Sequence, residues 1–164
     1  MLLKYDHMKF VDSGFEIIPQ ENGMDGLYRH VEKIARVSYK SEDRITDDSA
    51  KKMIDSLINN QHLACLEHGT IYLRYVYDFD GDPELPIEDY AQNPYSRVHS
   101  RWVDQGKVEY YITTNLRVII ENNWQYDLQY MCDPTEFHEK RYTVKFVLSA
   151  GIGREFTRHR AFKY

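Results

Sequence analysis

The sequence predicts an α/β (α+β) fold in which a mostly antiparallel sheet is flanked by helices. Three observations lead there. Ile71 to Tyr77 and Tyr142 to Leu148 alternate with a period of two and are rich in aromatic and β-branched residues, as strands are. Gly26 to Tyr39 and Thr46 to Asn59 repeat their apolar residues at helical spacing. The alternating strands keep one polar face, which fits a sheet covered on one side only.

Taken in order, Lys9 to Pro19 alternates loosely through Phe15, Ile17 and Ile18 and reads as a strand. Glu21 to Gly26, with glycine at 23 and 26, is turn chemistry. The first helix carries Leu27, Val31, Ile34 and Ala35 on its apolar side and runs to about Tyr39, where the polar Lys40 to Arg44 loop ends it. Thr46 is the expected N-cap of the second helix, with Asp47 and Asp48 placed to suit the positive end of its dipole. Its apolar face is Ala50, Met53, Ile54, Leu57 and Ile58, and Asn59-Asn60 closes it. Leu66-Glu67-His68-Gly69 then leads into the strand at Ile71.

Asp78 to Gly106 is acidic and bears Pro83, Pro86 and Pro94, so it reads as a long surface insertion with little regular structure. Val108 to Thr113 looks like a further strand, Asn115 to Glu121 a helix start, and Trp124 to Met131 a helical stretch stopped by Asp133-Pro134. After Tyr142 to Leu148, Gly151 and Gly153 turn the chain into a final helix whose apolar side is Ile152 and Phe156.

At 164 residues the chain is expected to form a single domain, residues 1–164, with a substantial core. Hydrophobic residues at 42% and charged residues at 29% argue against global disorder. The 14 tyrosines, apolar in body and polar at the tip, suit an oligomer interface or a site for a planar ligand. With a formal charge of −5, no nucleic-acid partner is expected beyond what the basic run Arg154 to Lys163 could hold, namely one or two phosphates or an electron-rich ring. Cys65 and Cys132 form no paired motif and read as free thiols of a reducing compartment. The start lacks a signal-peptide core, and no apolar run approaches the roughly 20 residues of a membrane span, so a soluble, cytoplasmic protein with no membrane partner is expected.

The chemistry-bearing segments are few. Arg154 and Arg158 are i,i+4 neighbours on the last helix, as are Glu155 and His159, and Arg160 completes a basic triplet. Stacked arginines repel unless an anion joins them, and their planar forks suit phosphates, carboxylates or the oxygens of a pyrimidine. The same cations equally suit the negative end of a helix dipole. His68, following Glu67 where a strand begins, reads as either a structural histidine or a ligand. His7, His30, His62, His99 and His138 have no metal-ligand spacing, and no metal site is expected. Gly151-Ile152-Gly153 lacks the third glycine of a dinucleotide fingerprint, and there is no nucleophile-elbow or phosphate-loop motif. Ala35-Arg36-Val37-Ser38-Tyr39 closes one helix with a guanidinium, a hydroxyl and a phenol together, and Asn115-Leu116-Arg117 sets an amide and a guanidinium at the start of another.

In their order, these segments resemble the flavin-dependent thymidylate synthases. The likeness is carried by Ala35-Arg36-Val37-Ser38-Tyr39-Lys40-Ser41, then Leu66-Glu67-His68-Gly69-Thr70 before a strand, then Asn115-Leu116-Arg117, then Arg154 leading to Arg158-His159-Arg160. It spans most of the chain, although nothing between Asp78 and Gly106 matches. The resemblance implies reductive methylation of dUMP to dTMP with methylenetetrahydrofolate, FAD being reduced by NADPH. The family requires no protein nucleophile, and its proteins would act by positioning and charge stabilisation. By motif position, Arg158 would be catalytic, holding the pyrimidine oxygens as charge builds on the ring. Arg158, His159 and Arg160 would contact flavin and nucleotide, His68 and Thr70 the flavin, and Ser38 its adenosine portion. Glu155 occupies a nucleotide-side position where many members carry Gln.

The resemblance also implies a homotetramer whose sites borrow residues from several subunits. The family follows its triplet, seven or eight residues on, with a serine accompanied by Glu and a final Arg, positions that would fall beyond Tyr164. The expectation is therefore a chain truncated relative to the active enzyme, with its activity alone left open. The alternatives are completion by a second polypeptide, or a non-catalytic flavin- and nucleotide-binding or assembly module.

Overall fold

A computed structural model describes residues 11–81, 84–156 and 158. The chain divides into two compact units, 19–141 and a smaller one made of 1–18 with 142–164. Both are built from helices and antiparallel strands, and no described helix is long and apolar enough to cross a membrane.

In the larger unit, α1 (Gly23–Tyr39) buries Leu27, Val31 and Ala35, and α2 (Ser49–Asn59) buries Ala50, Ile54 and Leu57. The turn read over Glu21 to Gly26 is taken over by α1, which starts at Gly23 (φ 77°), a backbone conformation that favours glycine. At its other end α1 stops on Lys40 in the left-handed region (φ 49°), where Ser41 N–H reaches back to the Arg36 carbonyl at 2.9 Å. Thr46 is not the cap of α2. Asp48 holds that position, because Ser49 and Thr46 close a local ring: the Ser49 hydroxyl accepts from Thr46 N at 2.8 Å and donates to Thr46 O at 3.0 Å.

The sheet of this unit has three strands in the order β2 (Thr70–Asp78), β4 (Lys107–Asn115), β3 (Arg97–Asp104), all antiparallel. One face sends Ile71, Leu73, Tyr75 and Ile112 into a core shared with α1, α2 and α4 (Leu116–Glu121). The surface insertion expected between Asp78 and Gly106 is corrected by α3 (Ile87–Gln92) and by β3. β3 is a strand because Gln105-Gly106 folds it back on β4, with Val98 opposite Ile112 and Arg101 opposite Glu109. Its mostly exposed, charged sequence hides that role. The helical stretch read over Trp124 to Met131 is a 3-10 helix over Gln125–Tyr130.

The smaller unit pairs β1 (Gly14–Ile18) with β5 (Thr143–Val147), Ile17 opposite Val144, and ends on α5 (Ala150–Phe156). The sheet expected to include both Ile71 to Tyr77 and Tyr142 to Leu148 is thus two sheets. The outer edge of β2 is occupied instead by the segment after Met131. Met131 bridges Leu73, and Cys132 N–H donates to Tyr72 O at 2.9 Å.

Candidate functional site

In the larger unit Leu66–Thr70 packs on α1, whose end carries the first motif segment, and is joined to Asn115–Arg117. The first contact is one of close packing. A Cβ on Gly69 would lie 2.8 Å from Val31 Cγ2 and 3.3 Å from Leu27, so only glycine lets this junction reach α1. The second is backbone: Leu116 N–H donates to Gly69 O at 2.9 Å, tying the start of α4 to the start of β2. The third is ionic. Arg117 donates to Glu67 at 2.6 Å and to Glu121 at 2.7 Å, with Glu67 mostly buried. Asn115 serves the helix itself, its side chain accepting from Val118 N at 3.0 Å.

Beside this junction lies an open cleft of about 760 Å³, lined among others by Tyr39, His62, Cys65, Arg117 and Glu121. Tyr39, from the first motif segment, is hydrogen-bonded to His62 Nδ1 at 3.1 Å. Burial pushes the Cys65 thiol up, so it stays protonated at neutral pH and offers no thiolate. The lining therefore supplies a phenol, an imidazole and an oriented guanidinium around partly apolar walls, a composition that suits a polar-edged ring.

The expected site residues fall differently. Thr70 is buried, and its backbone is clamped by the Gln20 amide, which donates to Thr70 O at 2.7 Å and accepts from Thr70 N at 2.9 Å. His68 is half-buried; burial holds His30 below its ordinary pKa, and the nearby His68 adds to that shift. Ser38 is exposed, one residue from the cleft, with its hydroxyl donating to Ile34 O at 3.4 Å. Arg36 is occupied by Glu32, a buried carboxylate at 2.9 Å.

Glu155 and Arg158 belong to the smaller unit. Arg158 pairs with Glu155 at 3.2 Å, and both side chains are largely exposed, at 75% and 65%. The partner of Arg158 is thus a carboxylate three residues back, on α5. His159 and Arg160 lie outside the described residues.

A second constellation was not found from the sequence. Glu109, 1% exposed on β4, accepts from Tyr111 Oη at 2.5 Å, Arg74 Nε at 2.5 Å and Arg101 Nη2 at 2.7 Å. Chiefly the Tyr111 hydroxyl, with the two arginines, outweighs burial and holds Glu109 down at about 2. The only trace in the sequence is a glutamate inside an otherwise aromatic and aliphatic strand; its partners lie 35 and 8 residues away.

Among the described residues no cluster of His, Cys, Asp or Glu could hold a metal ion. Compared with protein-family models, curated proteins and solved structures, the chain matches none.

Proposed function

We propose that this chain is a flavin-dependent thymidylate synthase protein, acting in the reductive methylation of dUMP with FAD, NADPH and methylenetetrahydrofolate. The observation that carries the reading is the joining of Leu66–Thr70 to Asn115–Arg117, with Tyr39, at the end of α1, and Arg117 lining one cleft. At about 760 Å³ the cleft falls in the size range of cofactor sites, roughly 300–1,000 Å³. Bound FAD would supply the hydride. The chain's own contribution is placement: Thr70 and His68 at the flavin, Ser38 toward its adenosine, Arg158 on the pyrimidine oxygens, and Arg160 and His159 on flavin and nucleotide. Exposed Phe15, Ile17, Tyr142, Phe146 and Ile152 in the smaller unit support a homotetramer in which subunits share sites.

The exposed Glu155–Arg158 pair favours a second reading, a non-catalytic flavin- and nucleotide-binding or assembly module. One assay separates the two. The protein is given FAD, NADPH, methylenetetrahydrofolate and dUMP deuterated at C5. Deuterium release with NADPH oxidation is expected of the enzyme. Binding of FAD and dUMP without either would leave the binding module, and binding of neither would remove the enzyme and the binding module alike.

A further inference from the structure

The sheet face turned away from the core carries a charge arrangement that folding alone does not require. Register places Arg74, Glu109, Tyr111, Arg97, His99 and Arg101 on this one face. Arg74 takes one oxygen of Glu109 and Arg101 takes the other, at 2.5 Å and 2.7 Å. Nearby, Arg97 and Arg141 share Glu139 at 3.5 Å and 3.6 Å. Arginines therefore outnumber their carboxylates two to one, twice, in a chain with 26 acidic and 21 basic residues. Asp133, Glu136 and Lys140 on the segment that crosses this face are exposed and make no ion pair among the described residues.

The guanidiniums are fixed before any ligand arrives. Arg74 aims both Nε and Nη2 at one Glu109 oxygen, which leaves its other edge to solvent. Arg101 uses Nη2 on Glu109, and its guanidinium lies 4.7 Å from the centre of the Phe137 ring. Both side chains remain about half exposed, at 52% and 48%. Two oriented forks with free N–H edges and one shared negative charge lose little freedom on meeting an anion.

We propose that Arg74 and Arg101, positioned by Glu109, bind a phosphate group through their free guanidinium edges, with Arg97 adding charge from beyond His99 on the same face of β3. Glu109 leaves each fork an unused edge, and a tetrahedral dianion can present oxygens to both. This site is distinct from the cleft beside Arg117 and does not depend on the thymidylate synthase reading.

The test titrates the full chain with inorganic phosphate and, in parallel, with a nucleoside monophosphate at constant ionic strength, following protein NMR shifts or heat. Saturable binding of phosphate is expected, weakened about tenfold or more in Arg101→Lys, which keeps the charge but loses the fork. Arg101→Lys retains a cationic partner for Glu109, and its melting curve shows whether the fold is kept; Arg74→Lys provides the same test from β2. Equal affinity for the two ligands assigns the phosphate alone, and tighter nucleotide binding abolished by the same variants assigns a phosphorylated small molecule. No saturable binding, or affinity unchanged in both lysine variants, overturns the proposal.

Discussion

Glu109 shows how one residue sets a surface. Its carboxylate is buried yet ionised, because a phenol and two guanidiniums donate to it. Its pKa falls from 4.5 unfolded to about 2 folded, so its stabilisation is complete above about pH 4.5 and disappears as pH drops toward 2. Acid unfolding followed by circular dichroism is therefore expected to steepen in that window, and Glu109→Gln to flatten it while lowering stability at neutral pH. Gly69 acts by size. The Val31 methyl that an added Cβ would meet is on a β-branched side chain with one favoured helical rotamer, so it yields poorly. Gly69→Ala is expected to cost about 1–3 kcal/mol in urea unfolding, and an unchanged midpoint would mean that the junction is looser than described. Tyr90, buried and donating to Asp127 at 2.8 Å, predicts a similar effect: Tyr90→Phe leaves a buried carboxylate short of a donor, at a cost of about 1–3 kcal/mol.

Among the elements, the segment 131–141 illustrates what a sequence conceals. The sequence suggests no element between Asp133-Pro134 and Tyr142, yet the segment closes one edge and one face of the larger unit's sheet. His138 pins it. Thr135 N–H donates to Nδ1 at 3.0 Å, so the proton sits on Nε2, which donates to Leu73 O at 3.0 Å. Burial, foremost, keeps His138 below its ordinary pKa of 6.5, so its contribution is present above that pH and is lost as pH falls further. His138→Ala is expected to raise amide exchange at Leu73 and its β4 neighbours more than in α2, the reverse ordering counting against a pinning role. β2, β4 and β5 were legible because their alternation is written in apolar residues. β3 was not, since Arg97, His99 and Arg101 gain their strand character only from pairing with β4. The pairing of β5 with β1 was equally hidden, because alternation fixes which residues share a face but not which strand lies alongside.

At the scale of the whole molecule, the sequence indicated the segments that meet but not the means by which they meet. Gly69 and Arg117 were visible as motif members; the methyl group of Val31 and the carboxylate of Glu67 that hold them in place come from elsewhere in the chain. The Arg74–Glu109–Arg101 cluster was illegible for the same reason, being assembled across three strands. The charge balance of −5 likewise gave no hint of a sheet face on which arginines outnumber their ion-paired carboxylates. At this scale we propose that the segments around Ser38, His68 and Arg117 form a flavin site. Titrating the protein with FAD, followed by flavin fluorescence, tests it most directly. The account predicts saturable binding that weakens at least about tenfold in His68→Ala and in Arg117→Ala, each about 1.4 kcal/mol or more. Fluorescence that stays linear in added FAD, or binding that neither substitution alters, would contradict it.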